Sequence, residues 1–478
     1  MSLFRFQGPW ALILASMVFS ARPSQASVQP APQALGSGQS SVSSIPAPET
    51  SFQGSVGLSS LSYLTQPGLL KRSQFSVARL SFAYHRIGSE LELHADSRIG
   101  VGIDCGSACS SVEFSELSIG SSRRLAPLSF HFGRMLAPWS GLDDDWKLGV
   151  YQPRFIYDFL HPQQVGLLGG FVRFSSPGWR LTGFASPGFI PDRGLPVNVE
   201  NGRIASIDPF FHAPISEVIY EGKNTPVAYS VNRPPLSELL MRPAMGVLAQ
   251  WGADREGLSV SASYAYKPIN QVLLAYNNLY NLSFEVADAD LYPRVLMHHV
   301  GGADLRYSKR RLSAGLSVLH EVPIMDSTPQ QWTAQQLAPA WLVSPSVTMR
   351  GEKTFQVSAS YLKVDGGNAP DKMASGGPSV SGGVSVFEKR YPYSSALKLS
   401  ASDQLWKKAN QSVSWKTQIL FDLEHSAQAY LHSVSYNPSA SWQMKVSTDI
   451  LVGSSSGTDF ISRNRANDRF FGAVSYVF

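Results

Sequence analysis

The sequence predicts an all-β fold, a transmembrane antiparallel β-barrel, from three observations. Charged residues make up only 16% and aromatic residues 11% of the 478 residues, whereas soluble domains carry about 25% charged residues. Apolar and polar residues alternate with a period of two in many segments, as they do on strands with one apolar and one wet face. The connections between these segments alternate between short and long, which is typical of membrane barrels.

Residues 1–26 have the pattern of a cleavable secretory signal peptide. Arg5 supplies the positive charge, residues 10–19 form an apolar run, and Ala26 ends a small-residue cleavage motif. The apolar run is about half as long as a membrane-spanning helix needs to be. We therefore expect export and cleavage after Ala26 and not an N-terminal membrane anchor.

Residues 27–52 predict a disordered tail on the periplasmic side of the barrel. The segment is rich in Ser, Pro, Gln and Gly and contains a single acidic residue, Glu49. Such a composition cannot bury a core. The barrel itself is expected to comprise residues 53–478.

The segment 89–103 gives the clearest strand pattern. Its odd positions are mostly aliphatic, while Glu90, Glu92, His94, Asp96 and Arg98 occupy even positions. Since alternate side chains lie on opposite faces of a strand, the ionisable groups must face the lumen if the strand crosses lipid. Similar alternation recurs in 258–267, 354–361, 412–424 and 442–452.

The alternating connections predict 18 strands, with 16 as the alternative. Counting every candidate gives 19, but treating residues 146–151 as part of a long loop puts every long loop on one side. The weak points are the first two strands and the connection at 404–410, which is long for a periplasmic turn. The predicted long loops, expected to be extracellular, cover about 137–163, 187–243, 268–292, 323–340, 365–388 and 454–467.

The C-terminus carries the most specific pattern in the chain. The final residues alternate so that five of them share one face, and the last residue is Phe: Phe470, Gly472, Val474, Tyr476 and Phe478. This segment resembles the assembly signal that ends Gram-negative outer-membrane β-barrel proteins. The resemblance implies a porin-like architecture, an outer-membrane location, contact with outer-membrane lipid, and recognition by the barrel-assembly machinery during biogenesis. It names no solute and no specific porin family.

The predicted lumen residues indicate a channel for passive passage of small hydrophilic solutes. A barrel of 16 to 18 strands is wide enough for an aqueous lumen. Six basic residues against seven acidic ones predict weak ion selectivity. The proposed pore-lining residues are Arg79, Glu90, Glu92, Asp96, Arg98, Asp304, Arg306, Lys398, Lys416, Asp422, Glu424, Lys445 and Asp449.

The loop 187–243 holds nine prolines, which stiffen its backbone and prevent a long helix. By resemblance to porins it could fold into the lumen and narrow it; otherwise it is a surface flap over the barrel mouth. If it blocks the lumen, the protein is a structural or surface-interaction barrel. The three consecutive acids Asp143, Asp144 and Asp145 predict a solvated turn, with a weak cation site as the alternative.

Cys105 and Cys109 are the only cysteines, and export to an oxidising compartment predicts a disulfide that closes a small loop. A net charge of +5 is too small to indicate nucleic-acid binding. The adjacent His–Ser pairs at 425–426 and 432–433 point to opposite faces of a strand. We therefore expect no enzymatic activity, no cofactor and no metal, with an outer-membrane hydrolase as the least favoured alternative. The oligomeric state stays open.

Overall fold

The structure is a computed structural model. It describes residues 49–64, 73–88, 91–104, 109–121, 127–195, 197–211, 216–220, 222–232, 234–252, 256–281, 286–329, 332–352, 354–369, 389–455 and 457–478. The predicted signal peptide (1–26) and residues 27–48 of the predicted tail lie outside these ranges. Because the first strand begins at Glu49, the barrel starts four residues before the predicted boundary at 53.

The main body is a closed antiparallel barrel of 18 strands, which confirms the predicted count. Each strand pairs with the next, and the last strand pairs with the first over Ser55–Tyr63 and Arg469–Val477. Closure leaves the barrel without a free edge. The strands are β1 (Glu49–Tyr63), β2 (Gln74–Ile87), β3 (Leu91–Gly102), β4 (Ser111–Ser121), β5 (Leu128–Met135), β6 (Leu167–Ser176), β7 (Trp179–Ser186), β8 (Ala244–Gly252), β9 (Gly257–Pro268), β10 (Met297–Lys309), β11 (Leu312–Ile324), β12 (Ala340–Arg350), β13 (Gln356–Gly366), β14 (Ser395–Lys408), β15 (Gln411–Asp422), β16 (Ala427–Asn437), β17 (Trp442–Val452) and β18 (Arg469–Val477).

The connections lie on the two sides that the alternation predicts. The side that holds the start of β1 and the end of β18, here the turn side, carries short connections such as 177–178, 310–311 and 409–410. The opposite side, here the loop side, carries 136–166, 187–243, 269–296, 325–339, 367–394 and 453–468. The predicted alternation of short turns and long loops is therefore confirmed.

The uncertain connection at 404–410 is a tight turn at 409–410 that follows a long strand. β14 continues to Lys408, and a β-bulge between Gln404 and Trp406 shifts its register against β15. A bulge adds one residue to a strand and so breaks the period of two in the sequence. This is why the segment resembled a long connection.

The outward face of the barrel is an exposed apolar surface. Phe52, Leu91, Phe132, Trp251 and Phe478 each expose more than half of their surface. Such a large continuous apolar surface indicates contact with lipid and not with water.

The apolar core lies inside the barrel, on the loop 136–166. Trp139, Leu142 and Tyr151 are almost fully buried and belong to one cluster with wall residues such as Leu248 and Leu319. The loop begins with a short helix, α1 (Gly141–Trp146), that packs against the lumenal side of the wall. Among the described residues, no helix is long and apolar enough to cross a membrane.

Three loops build a second, smaller sheet on the loop side. Its five strands come from 187–243, 269–296 and 325–339, and its order is Glu217–Tyr220, Lys223–Val231, Val286–Arg294, Leu273–Asn281 and Trp332–Ala334. A hairpin (Val197–Glu200 and Arg203–Ser206) and a three-stranded ribbon (Arg193–Gly194, Arg154–Ile156 and Gln163–Gln164) accompany it. The remaining elements are α2 (Leu236–Leu240), α3 (Phe460–Arg463) and a 3-10 turn (Arg465–Asn467).

Candidate functional site

The acidic cluster 143–145 shapes the loop that fills part of the lumen. The Ser140 hydroxyl accepts a hydrogen bond from the Asp143 backbone N–H at 3.4 Å, which caps α1. The Asp143 carboxylate accepts the backbone N–H groups of Val150 at 3.1 Å and Tyr151 at 2.9 Å. Asp143 is only 1% exposed, so the interpretation of this cluster as a solvated turn is wrong. Its carboxylate holds the loop closed on itself.

The other two carboxylates of this cluster also have protein partners. The Gln164 amide donates to Asp144 at 3.1 Å, and Asp145 pairs with Lys398 at 2.6 Å. Burial raises the pKa of Asp144 to about 7, and the neighbouring Asp143 carboxylate acts in the same direction. Among the described residues, no group of three metal-ligating side chains is placed to hold an ion.

Contacts to the four strands β9, β10, β12 and β14 help to fasten the loop 136–166 to the barrel wall. The Gly141 N–H donates to Asp304 at 3.0 Å, and the Tyr151 hydroxyl hydrogen-bonds the Ser263 hydroxyl at 2.8 Å. The Trp146 indole N–H donates to the Ser344 hydroxyl at 3.1 Å, and the Lys398 ammonium pairs with the Asp145 carboxylate. The loop 136–166 therefore narrows the lumen, a role that the sequence had suggested only for 187–243.

The loop 187–243 divides between both of the alternatives that the sequence left open. Its later part joins the small sheet on the loop side, as a surface flap would. Its earlier part reaches the lumen, where Ile207 and Phe210 line the cavity described below. Arg154 of the lumenal loop pairs with Asp192 at 2.6 Å and so ties the two loops together.

A buried charged cluster fixes a third loop to the wall. Glu321 of β11 accepts His298 Nδ1–H at 2.6 Å and pairs with Arg390 at 3.1 Å, and the Tyr391 hydroxyl also donates to it. Burial alone would lower the pKa of Arg390, but the Glu321 carboxylate raises it above its ordinary value. This ion pair anchors the end of the loop 367–394 inside the barrel.

A cavity of about 640 Å³ remains in the lumen between the fastened loops and the opposite wall. Residues from β1, β2, β3, β17 and β18 line one side, and residues from 155–163 and 195–210 line the other. Among the described residues, its ionisable lining comprises five basic residues and three acidic ones: Arg79, Arg98, His161, Lys445, Arg469, Asp96, Asp158 and Asp449.

Two of the three carboxylates in this cavity share one arginine. Arg469 contacts Asp158 at 2.6 Å and Asp449 at 2.7 Å, and His161 Nε2 lies 3.0 Å from Asp449. Burial opposes ionisation of Asp158, yet the Arg469 guanidinium holds the pKa of that carboxyl below its ordinary value.

The remaining charges of the cavity are predominantly positive. Arg79 lies over the Phe471 ring at 5.6 Å, and Arg98 donates to the Gln163 amide oxygen. Within the described ranges, no salt bridge engages Arg79, Arg98 or Lys445. With Arg469 included, the described lining holds four Arg and Lys side chains against three Asp side chains, so its net charge is slightly positive.

The structure places the predicted pore-lining residues in several different environments. Arg79, Asp96, Arg98, Lys445 and Asp449 line the cavity. Asp304 and Lys398 hold the loop 136–166, whereas Arg306 and Lys416 are exposed. Glu92 is 4% exposed and lies 3.9 Å from both His94 and His131. Glu90 lies outside the described residues.

Two predicted lumen acids lie at a turn instead. Asp422 ends β15, where its carboxylate accepts the backbone N–H groups of Glu424 at 3.0 Å and His425 at 3.2 Å. Glu424 lies in the 423–426 turn, because β15 stops before the sequence pattern does. Neither residue lines the cavity.

The remaining predicted residues fall on the lipid-facing wall and at the loop-side mouth. Phe470, Val474, Tyr476 and Phe478 are exposed on the outward face of β18, and Gly472 shares their alternation. Cys109 borders the cavity, but Cys105 lies outside the described residues, so the disulfide stays a prediction.

Few of the residues that pair across the lumen could be predicted from the sequence pattern. Asp158, His161 and Arg390 lie in loops whose path the period of two cannot predict. The inward position of Arg469 could have been predicted from the alternation, because it shares the inward face of β18 with Phe471.

No protein-family model matches this chain, and no curated protein sequence matches it. Solved structures of bacterial proteins resemble its fold. OpdQ of Pseudomonas aeruginosa superposes with a TM-score of 0.45 and 10% identity, over 91% of this chain and 99% of OpdQ. OccK2 (OpdF) of the same organism, solved in complex with glucuronate, gives 0.46 and 9%, over 90% and 98%. A BenF-like porin of Pseudomonas fluorescens Pf-5 gives 0.44 and 8%, over 90% and 98%.

Proposed function

We propose that the protein is a porin-like outer-membrane channel for the passive passage of small hydrophilic solutes. The observation that carries the proposal is the charged cavity of about 640 Å³ inside a closed barrel of 18 strands. Ionisable side chains such as Arg79, Asp96, Arg98 and Lys445 require water or a polar solute beside them, because an uncompensated charge in a dry interior is costly. The lumen is therefore a wet passage narrowed by the loop 136–166.

The outward surface supports placement in a membrane. Its exposed aliphatic and aromatic side chains match the apolar band of transmembrane barrels. The predicted signal peptide and the C-terminal alternation favour the outer membrane of a Gram-negative cell, reached with the help of the barrel-assembly machinery. In this orientation the turn side faces the periplasm and the loop side faces outward.

The charges of the cavity support a preference for anions, which revises the weak selectivity expected from the sequence. Counting every predicted lumen residue gave a near balance, but the structure buries or pairs most of the acids. Among the described lining residues, four Arg and Lys side chains then outweigh three Asp side chains. A solute with a carboxylate or another small anionic group is favoured over a cation of the same size.

Planar-bilayer recording of the purified full-length barrel tests the proposal. We expect discrete single-channel steps. In a KCl gradient, the reversal potential should be displaced toward the equilibrium potential of chloride. A matched control is Arg311→Gln, which removes an exposed turn-side charge paired with Glu352, in contrast to Arg79→Gln inside the cavity. Conductance steps that never appear from inserted, folded barrels would contradict the proposal.

A barrel with a blocked lumen is the second candidate, and one observation favours it. Four rings from four loops stack or pack together at the mouth: Phe159, Phe210, Phe460 and Tyr393, with Phe159 and Phe460 centred 4.8 Å apart. If this aromatic cluster seals the lumen, a Phe460→Ala variant should conduct where the unmodified protein does not. A channel that conducts without this change excludes the blocked barrel.

A further inference from the structure

A band of polar side chains crosses the lipid-facing wall on three neighbouring strands. Thr417 of β15 lies directly opposite His432 of β16, and His432 lies opposite Thr448 of β17. On β16 the same face carries Val434, which is 48% exposed. The three residues, here the polar band, therefore point outward near the centre of their strands.

The outward residues at the centre of β9, β10 and β11 are apolar, unlike the polar band. The corresponding central row consists of Ala262, Ala303 and Val318, which pair across these strands and share their outward face. Apolar side chains are expected there, because the hydrocarbon offers no hydrogen-bond partner. The polar band departs from this rule in the middle of the apolar wall.

The hydrogen bonds within the band leave part of it unsatisfied. The Thr417 hydroxyl and His432 Nδ1 are 3.1 Å apart, which uses one nitrogen of the ring. Within the described part of the chain, His432 Nε2 and the Thr448 hydroxyl make no hydrogen bond. Lipid tails cannot satisfy them, whereas a protein surface with donors and acceptors at the same depth can.

We propose that the polar band is a contact between two copies of this chain, related by a two-fold axis along the membrane normal. Every copy inserts with its long loops on the same side, so copies in one membrane differ only by position and by rotation about that normal. A two-fold axis through the band brings it against itself at equal depth. Imidazole and hydroxyl groups both donate and accept, so the band is complementary to itself, as a two-fold contact requires.

The surface beside the band has room for a second copy. Gly472 of β18 pairs with Val446 of β17, and a Cβ atom added at Gly472 would meet nothing within 4 Å. Val446, by contrast, is 46% exposed. This combination of a recess and a protruding side chain allows two walls to interlock next to the band.

This inference rests on the proposed membrane placement but not on the passage of solute. The test is cross-linking in intact outer membranes with a membrane-permeant bismaleimide, in a background that carries Cys105→Ser and Cys109→Ser. Val434→Cys, next to His432 on the outward face, should yield a covalent dimer. Leu305→Cys, an outward residue of β10 with 46% exposure, is the matched control and should stay monomeric.

A second pair of variants assigns the contact to the imidazole. His432→Leu in the Val434→Cys background should abolish the cross-linked dimer while the barrel keeps its heat-modifiable migration on gels. His299→Leu is the control, because His299 also faces outward but lies near the loop-side end of β10, where it bonds the Tyr264 hydroxyl at 2.7 Å. The dimer should persist in that variant.

Four outcomes would overturn the two-fold contact: no cross-link at Val434→Cys, an equal cross-link at Leu305→Cys, a product with a different protein, or a trimer. Failure of the membrane placement is distinguishable from these. In that case a water-soluble, membrane-impermeant maleimide would label both cysteines in folded barrels as readily as it labels a loop residue. Protected cysteines without a dimer would overturn only the contact.

Discussion

The Lys398 ammonium of β14 lies 2.6 Å from the Asp145 carboxylate of α1, although 253 positions separate the two residues. The same ammonium donates to the Asp145 backbone carbonyl and lies 4.6 Å from the centre of the Trp146 ring. One side chain of the wall thus holds both the charge and the aromatic ring at the end of α1. This attachment is one of those that hold α1 inside the lumen.

Lys398→Met should loosen the loop 136–166 and raise the single-channel conductance. Methionine keeps the apolar stem of the side chain but loses the ion pair and the cation–π contact. Because Asp145 is partly exposed, we expect a loss of roughly 1 kcal/mol of loop anchoring. Planar-bilayer recording measures the conductance and its fluctuations.

Lys416→Met is the matched control for this prediction. Lys416 is an exposed residue of the neighbouring strand and lies outside the salt bridge with Asp145. If both substitutions change the conductance equally, the effect comes from the lost charge and not from a released loop.

The raised pKa of Asp144 predicts that the barrel becomes less stable as the pH rises. Burial, reinforced by Asp143, shifts this pKa from 3.8 to about 7. The folded state therefore binds more protons than the unfolded state between these values, so stability decreases as pH rises from about 4 to 7 and then levels off. Asp144→Asn should remove that part of the slope in the apparent melting temperature in detergent. A slope unchanged by this substitution would contradict the prediction.

Asp96→Asn should shift the ion selectivity further toward anions without weakening the fold. Asp96 lines the cavity on β3, the strand that also carries Arg98, so its charge attracts cations. Its neighbour Glu92 is buried against two histidines. Glu92→Gln should therefore cost on the order of 1–3 kcal/mol of stability and change the selectivity less. Reversal potentials in a KCl gradient and melting in detergent separate the two effects.

The sequence predicted which face of β3 carries the acids, but not whether each acid meets water or is buried. The alternation in 91–102 correctly separated an outward Leu91 from an inward Glu92, because lipid and lumen impose opposite polarity on neighbouring positions. A period of two cannot distinguish a wet lumen from a buried contact, however. Both appear in the sequence as a polar residue between two apolar ones.

The strand count and the sides of the loops were predictable for a similar reason. Each strand must alternate and each connection must return to the correct side, so parity constrains the whole chain. Loops obey no such rule. The fold of 136–166 depends on Asp143 capturing two backbone N–H groups and on wall partners far along the chain, and no local pattern indicates either.

The predicted disulfide between Cys105 and Cys109 should add little to the stability of the barrel. Its loop would contain only a few residues, and closing so short a loop constrains the unfolded chain very little. A Cys105→Ser/Cys109→Ser barrel should melt within a few degrees of the unmodified protein. Mass spectrometry of protein alkylated without reductant checks the linkage, and two alkylated cysteines would contradict it.

Removal of Phe478 should impair assembly of the barrel more than any single deletion in residues 27–48. The Phe478 backbone exchanges two hydrogen bonds of 2.9 Å with Gly54, which extend the seam between β1 and β18 by one pair. Its ring covers Gly54 so closely that an added Cβ would collide with a ring atom. Losing the residue removes two hydrogen bonds worth about 1 kcal/mol each and the aromatic end of the assembly signal.

Gly54→Val tests whether the seam itself, and not only the recognition of the C-terminus, depends on this contact. The substitution leaves the C-terminal sequence unchanged but drives the new side chain into the Phe478 ring. We expect a reduced yield of heat-modifiable barrel in outer membranes. Gly301→Val is the control, because it adds a side chain where nothing lies within 4 Å. Gly178→Val would not serve, because Gly178 has a positive φ of 83°. If the Gly54→Val barrel assembles normally while the Phe478 deletion fails to assemble, Phe478 acts only in recognition of the C-terminus and not in the seam.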